Sequence, residues 1–153
     1  MENELSFSTR CRVILIQMIY ALATNPENIQ SLSEKKLLSV AQNAMDISRY
    51  KAKNAKDSAK DLQILTEVVK NLPIIDELIL KYCKSDSLER TSQVVLSMLR
   101  VGTYEFKYIK HKHSVGNIIK DYLNIAIAFE HEPESSFING ILDKIYLASN
   151  QLL

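Results

Sequence analysis

The chain has 153 residues, 46% hydrophobic and 24% charged, with a formal net charge of +1. That balance suits a soluble globular protein and excludes a strongly basic nucleic-acid-coating protein, so any RNA site must be a local patch. Three glycines and three prolines are too few turn residues for an all-β sandwich. The expected class is all-α: an irregular bundle of about seven helices, in two small lobes sharing one core.

Residues 1–7 show no periodicity and read as a flexible N-terminus ahead of one helical domain over 8–153. Ser8 or Thr9 can cap a first helix to about Thr24. Its apolar residues nearly encircle it from Val13 to Ala23, which places it inside a core. Arg10, Arg12 and Ala21-Leu22-Ala23 around this run superficially resemble a secretory leader. Glu2 and Glu4 cancel the arginines, Gln17 interrupts the run, and the run is far short of the ~20 residues that span a bilayer. The reading is a cytoplasmic chain without a membrane partner.

Asn25-Pro26 ends the first helix. Ser33 starts a second, to about Arg49, with Leu37, Leu38, Ala41, Met45 and Ser48 on its buried face. Lys51, Lys53, Lys56 and Lys60 mark an exposed loop or the exposed start of a third helix, striped by Leu62, Leu65, Val68 and Val69. Leu72-Pro73 breaks that helix, because a residue before proline disfavours the α region. A short fourth helix holds Ile75, Leu78, Ile79 and Tyr82. Residues 85–87 form a turn with N-cap candidates ahead of a fifth helix carrying Val94, Val95, Met98 and Leu99. Gly102 permits close packing or a bend there. Beyond the connection at 110–114, a sixth helix holds Ile118, Ile119, Tyr122, Leu123, Ile125, Ala126 and Phe129. Glu132-Pro133-Glu134 suits the first turn of a seventh, striped by Phe137, Ile138, Ile141, Leu142 and Ile145.

Catalytic patterns are missing. Cys11 and Cys83 form no CxxC and read as buried, reduced thiols. There is no glycine-rich phosphate loop, HExxH or GxSxG. His111 and His113 stand among lysines, whose ammonium groups oppose a metal cation, and His131 between glutamates reads as a surface residue. The carboxylates are scattered, without the unlike environments of an acid–base pair. The chain reads as non-enzymatic, with no cofactor and no metal.

Three stretches carry a resemblance. Arg10-Cys11-Arg12 leads into Gln17-Met18-Ile19-Tyr20; Leu99-Arg100-Val101-Gly102-Thr103-Tyr104-Glu105-Phe106 follows; and Ser136-Phe137-Ile138-Asn139-Gly140-Ile141-Leu142-Asp143-Lys144 closes the series. Together, in this order, they resemble the bacterial NusB transcription-antitermination family, the last being the most specific.

The resemblance implies two helical lobes in one domain. It implies binding of the single-stranded boxA segment of ribosomal RNA transcripts, in a heterodimer with the small-subunit ribosomal protein NusE, within an RNA polymerase antitermination complex. Carried over residue by residue, it points to Arg10, Arg12, Tyr20, Ser135, Ser136 and Phe137 for RNA and to Glu89 for the partner. Such a set has physical sense, since unpaired RNA is held by phosphate pairing and by stacking on aromatic faces. Asn139 and Gly140 read as structural, the small residue letting the last helix approach a neighbour. Arg100, Glu105 and Asp121 read as charges that tie helices together.

The chain departs from the family's basic pattern at Ser8, Thr9, Ser136 and Ile127, and has Val13 where an acidic residue is usual; with positive charge lost from the expected RNA face, a shallower salt dependence is expected. Self-association into a homodimer is open, as in some family members. Two other readings stand beside this one. A helical protein-interaction module lacking specific RNA binding would also fit the thin basic patch. The fold also resembles the N-terminal domain of ribosomal-RNA cytosine methyltransferases, whose activity needs a fused cofactor-binding domain not expected in a chain ending at Leu153.

Overall fold

The computed structural model of the chain describes residues 7–83, 89–109, 114–129 and 135–150. All regular structure among them is helical. The chain divides into two compact units, with the boundary between Asn71 and Leu72.

The N-terminal unit contains α1 (Thr9–Ala23), a 3-10 turn (Ile29–Ser31), α2 (Glu34–Ile47) and α3 (Ala55–Lys70). Each long helix starts where a polar side chain can accept a bond from an otherwise orphaned backbone N–H. Ser8 accepts from Cys11 N at 3.1 Å, Ser33 from Lys36 N at 3.2 Å and Asn54 from Asp57 N at 2.9 Å. Lys56 and Lys60 therefore belong to the exposed start of α3, whereas Lys51 and Lys53 precede it.

Helix α1 packs against α2 and α3. Ile14, Leu15, Ile16, Met18, Ile19 and Leu22 are all at most 1% exposed, each stabilising the fold by about 1.5–3 kcal/mol through removal of apolar surface from water. Phe7, read from the sequence as the last flexible residue, is also buried.

The C-terminal unit contains α4 (Leu72–Tyr82), α5 (Gln93–Tyr108), α6 (Val115–Ala128) and α7 (Ser135–Asn150). Pro73 falls in the first turn of α4, where a missing N–H costs nothing. The cap of α5 is Ser92, accepting from Val95 N at 3.2 Å; the turn at 85–87 lies outside the described residues, as does Glu132-Pro133-Glu134. Helix α5 is the hub, packed on α4, α6 and α7. It is buried without interruption from Val101 to Phe106.

Of the two alternatives open at Gly102, the structure takes close packing. Helix α5 continues through it, and a Cβ there would stand 2.8 Å from Leu142 Cδ2 and 3.5 Å from Tyr122 Cζ. Gly140 corrects the sequence reading. It is exposed, and a Cβ built on it meets nothing within 4 Å, so the close approach involving α7 uses a glycine of α5.

Arg100 and Glu105 tie helices as expected. Arg100 makes a two-point pair with Asp76 of α4, Nε and Nη2 donating at 2.9 and 3.0 Å. The Tyr122 hydroxyl donates to Glu105, a fully buried carboxylate, at 2.6 Å. Both thiols are buried. Among the described residues no helix is long and apolar enough to cross a membrane.

Candidate nucleic-acid interface

In the N-terminal unit, Arg10, Arg12 and Tyr20 all lie on α1, but not on one face. Successive helical residues are separated by about 100°, so positions i and i+2 point nearly opposite ways. Arg10 is half-buried while Arg12 is only 5% exposed. Tyr20 is 40% exposed and shares a narrow outer stripe with Arg10, Gln17, Ala21 and Thr24. Ten residues of helix separate Arg10 from Tyr20, roughly 15 Å along the axis.

Arg10 is held firmly. Its two terminal nitrogens donate to both oxygens of Asp61 on α3, at 2.9 and 3.1 Å, and Nη1 also reaches the Tyr50 carbonyl at 3.3 Å. The hydrogen bond to Asp61, with its charge, raises the guanidinium pKa further above an already high value. The Asp61 side chain is 3% exposed and that of Arg10 27%. The carboxylate thus cancels much of the charge a phosphate would meet, while the guanidinium keeps an accessible edge.

Asp61 was not singled out from the sequence, yet it left a signal. It occupies the buried stripe of α3 with Leu65, Val68 and Val69. A carboxylate at an apolar position of a helix implies a partner, because an isolated buried charge is prohibitively costly.

Further cations surround this region. Lys53, Lys56 and Lys60 are exposed. Lys51 instead turns back to donate to the carbonyls of Met45 and Asp46 at the end of α2. Gln17 of the α1 stripe accepts from the Ser48 hydroxyl at 2.6 Å.

In the C-terminal unit, Ser135 is the first residue of α7, followed by exposed Ser136 and half-buried Phe137. The first turn of α7, from Ser135 onward, has no acidic side chain. Glu89 is exposed and lies ahead of α5 rather than within it. At the other end of α5, Tyr104 and Tyr108 rings stand 5.1 Å apart, with Lys107 Nζ 5.5 Å from the Tyr108 ring centre. Burial raises the Tyr108 phenol above its ordinary pKa. Lys110, His111, Lys112, His113 and His131 lie outside the described residues. Among the described residues, no group of three His, Cys, Asp or Glu side chains could hold a metal.

These features define a class: a small helical protein offering an exposed ring and a half-exposed, oriented guanidinium on one helix. The NusB family model matches residues 9–147. The chain belongs to the NusB family. It is 28% identical over 134 residues to the transcription antitermination protein NusB of Borrelia garinii, covering 88% of this chain and 89% of that one. It is 37% identical over 93 residues to the protein of that name from Thermotoga petrophila, covering 61% and 63%. The Clostridium botulinum protein of that name is 29% identical over 144 residues, covering 89% and 96%. No solved structure matches.

Proposed function

We propose that this chain is a non-catalytic, cytoplasmic transcription antitermination factor. It binds the boxA segment of ribosomal RNA transcripts together with NusE, within the antitermination complex of RNA polymerase. The observation that carries this reading is the family match from residue 9 to 147; the exposure of Tyr20 supports it. Tyr20 stacks on an unpaired base, as exposed aromatics do in single-strand recognition. Arg10 offers its remaining donors to phosphate. Arg12, being buried, positions the first turn of α1. Ser135, Ser136 and Phe137 supply contacts from the start of α7, and Glu89 faces NusE.

The pairing of Arg10 with Asp61 favours one second reading, a helical protein-interaction module without specific RNA binding. Gel-shift titration with boxA and scrambled RNA, with and without NusE, separates the two. The antitermination reading predicts preferential retardation of boxA, strengthened by NusE. Equal retardation of both RNAs, or of neither, supports the module.

A further inference from the structure

A cavity of about 140 Å³ opens in the N-terminal unit between the end of α2, the connection to α3, and α1. Its floor is apolar, from Ile14, Met45 and Ala52. Its polar groups come from Gln42, Asp46 and Ser58, and Tyr50 and Lys51 complete the wall. The size is informative: an apolar protein cavity of roughly 150 Å³ takes up benzene, so this one has room for one six-membered ring.

Its location is also informative. Ile14 is one helical turn beyond Arg10, and the Tyr50 carbonyl is the group that Arg10 Nη1 touches at 3.3 Å. The oriented guanidinium is therefore bonded to the cavity wall. Arg49 and Lys53 are exposed on either side of Tyr50 in sequence, and the Tyr50 residue is itself 38% exposed.

We infer that this cavity is a subsite for a single pyrimidine nucleotide of single-stranded RNA, its base ring entering beside Tyr50 while its phosphate lies against Arg10. This rests on the RNA-binding reading above, shares Arg10 with it, and extends it to a cavity whose lining residues that reading does not use. The polar lining suits a base edge, which presents donors and acceptors together. The Gln42 amide donates to Asp46 Oδ1 at 3.0 Å, leaving its own oxygen and the second carboxylate oxygen as acceptors. Lys51 of the wall is tied back onto α2. A purine, with two fused rings, fills a space of about 140 Å³ less comfortably than a single ring does.

The test is an NMR titration of the isotope-labelled full chain with hexauridylate, hexaadenylate and free UMP. Hexauridylate shifts the amides of Tyr50, Ala52 and Ser58, and binds at least about fivefold tighter than hexaadenylate. Tyr50→Ala removes the ring but keeps the carbonyl that Arg10 uses, and Ser58→Leu fills the cavity; each weakens hexauridylate roughly tenfold, the scale of losing one stacked base, with circular dichroism unchanged. If UMP moves the same amides, the cavity takes the free nucleotide as well; if only hexauridylate does, it needs the strand. Either result sustains the subsite. Shifts confined to other residues, or equal binding of the uridine and adenosine oligomers, overturn the subsite and leave the RNA reading standing. Silence toward every RNA, boxA with NusE included, overturns both.

Discussion

A Cβ on Gly102 would sit 2.8 Å from Leu142 Cδ2, closer than carbon atoms pack. Leu142 is fully buried, so its side chain has little room to retreat. Gly102→Ala gains about 1 kcal/mol of helix propensity but incurs an overpacking cost of about 1–3 kcal/mol. The expected net is a loss of about 1 kcal/mol in urea denaturation, and a larger loss for Gly102→Val. The double variant with Leu142→Ala should fall short of additivity, since the two residues share one contact.

Gly140→Ala should have the opposite sign. Its Cβ meets nothing within 4 Å on an exposed part of α7, so only the propensity gain of about 0.5–1 kcal/mol remains. A higher urea midpoint is the outcome to look for; a lower one would contradict the open surroundings of Gly140 in the folded chain.

The pair of Arg10 and Asp61 is asymmetric, and so are its truncations. Arg10→Ala strands a carboxylate that is 3% exposed, at a cost of about 3 kcal/mol. Asp61→Ala leaves an arginine able to swing into water, at a cost nearer 1 kcal/mol. Denaturation midpoints for the two variants, measured side by side, check the order. It also makes charge reversal at Arg10 a poor probe of RNA binding, because two carboxylates would then face each other inside the unit.

These ties mark where sequence reading stops. Serine and asparagine caps, the apolar stripes and the break at Asn25-Pro26 are local, and the helices follow them closely; the break read at Leu72-Pro73 falls at Asn71 instead, and Leu72 itself opens α4. The other exception is α5: the turn read at 85–87 lies outside the described residues, and the cap of the helix is Ser92, which was not singled out. Which glycine brings helices together is not local, since Gly102 and Gly140 look alike until Leu142 is placed. The same holds at the candidate interface. The exposed ring of Tyr20 lies within a sequence run that reads as core, and the partner of Arg10 is 51 residues away. The opposite fates of Arg10 and Arg12, by contrast, follow from helical geometry alone and could have been read from their spacing.

Tyr108 should titrate late. Burial raises its phenol above the ordinary value of 10.0, so the folded state holds this proton more tightly than the unfolded chain does. Its contribution to stability is complete below the ordinary tyrosine pKa and is lost as pH rises through the higher folded-state value. Phenolate absorbance of the wild type minus that of Tyr108→Phe isolates the group; a midpoint at or below the ordinary value would contradict the assignment.

Salt dependence reports how many phosphates the chain neutralises. With Arg10 shared with Asp61, few full charges remain for the strand. At about 0.7 per contact for single strands, the slope of log affinity against log salt should not exceed about 3. A steeper slope would mean more than about four neutralised phosphates, well beyond the one arginine proposed to face RNA.

The most direct measurement is the affinity of the chain with NusE for boxA RNA against a scrambled strand of equal length and composition, for wild type and for Tyr20→Ala. The account predicts that boxA binds at least about tenfold tighter and that Tyr20→Ala, at an exposed site, loses roughly tenfold of that affinity while remaining folded. Equal affinity for the two strands, or full boxA affinity in the folded Tyr20→Ala variant, would contradict it.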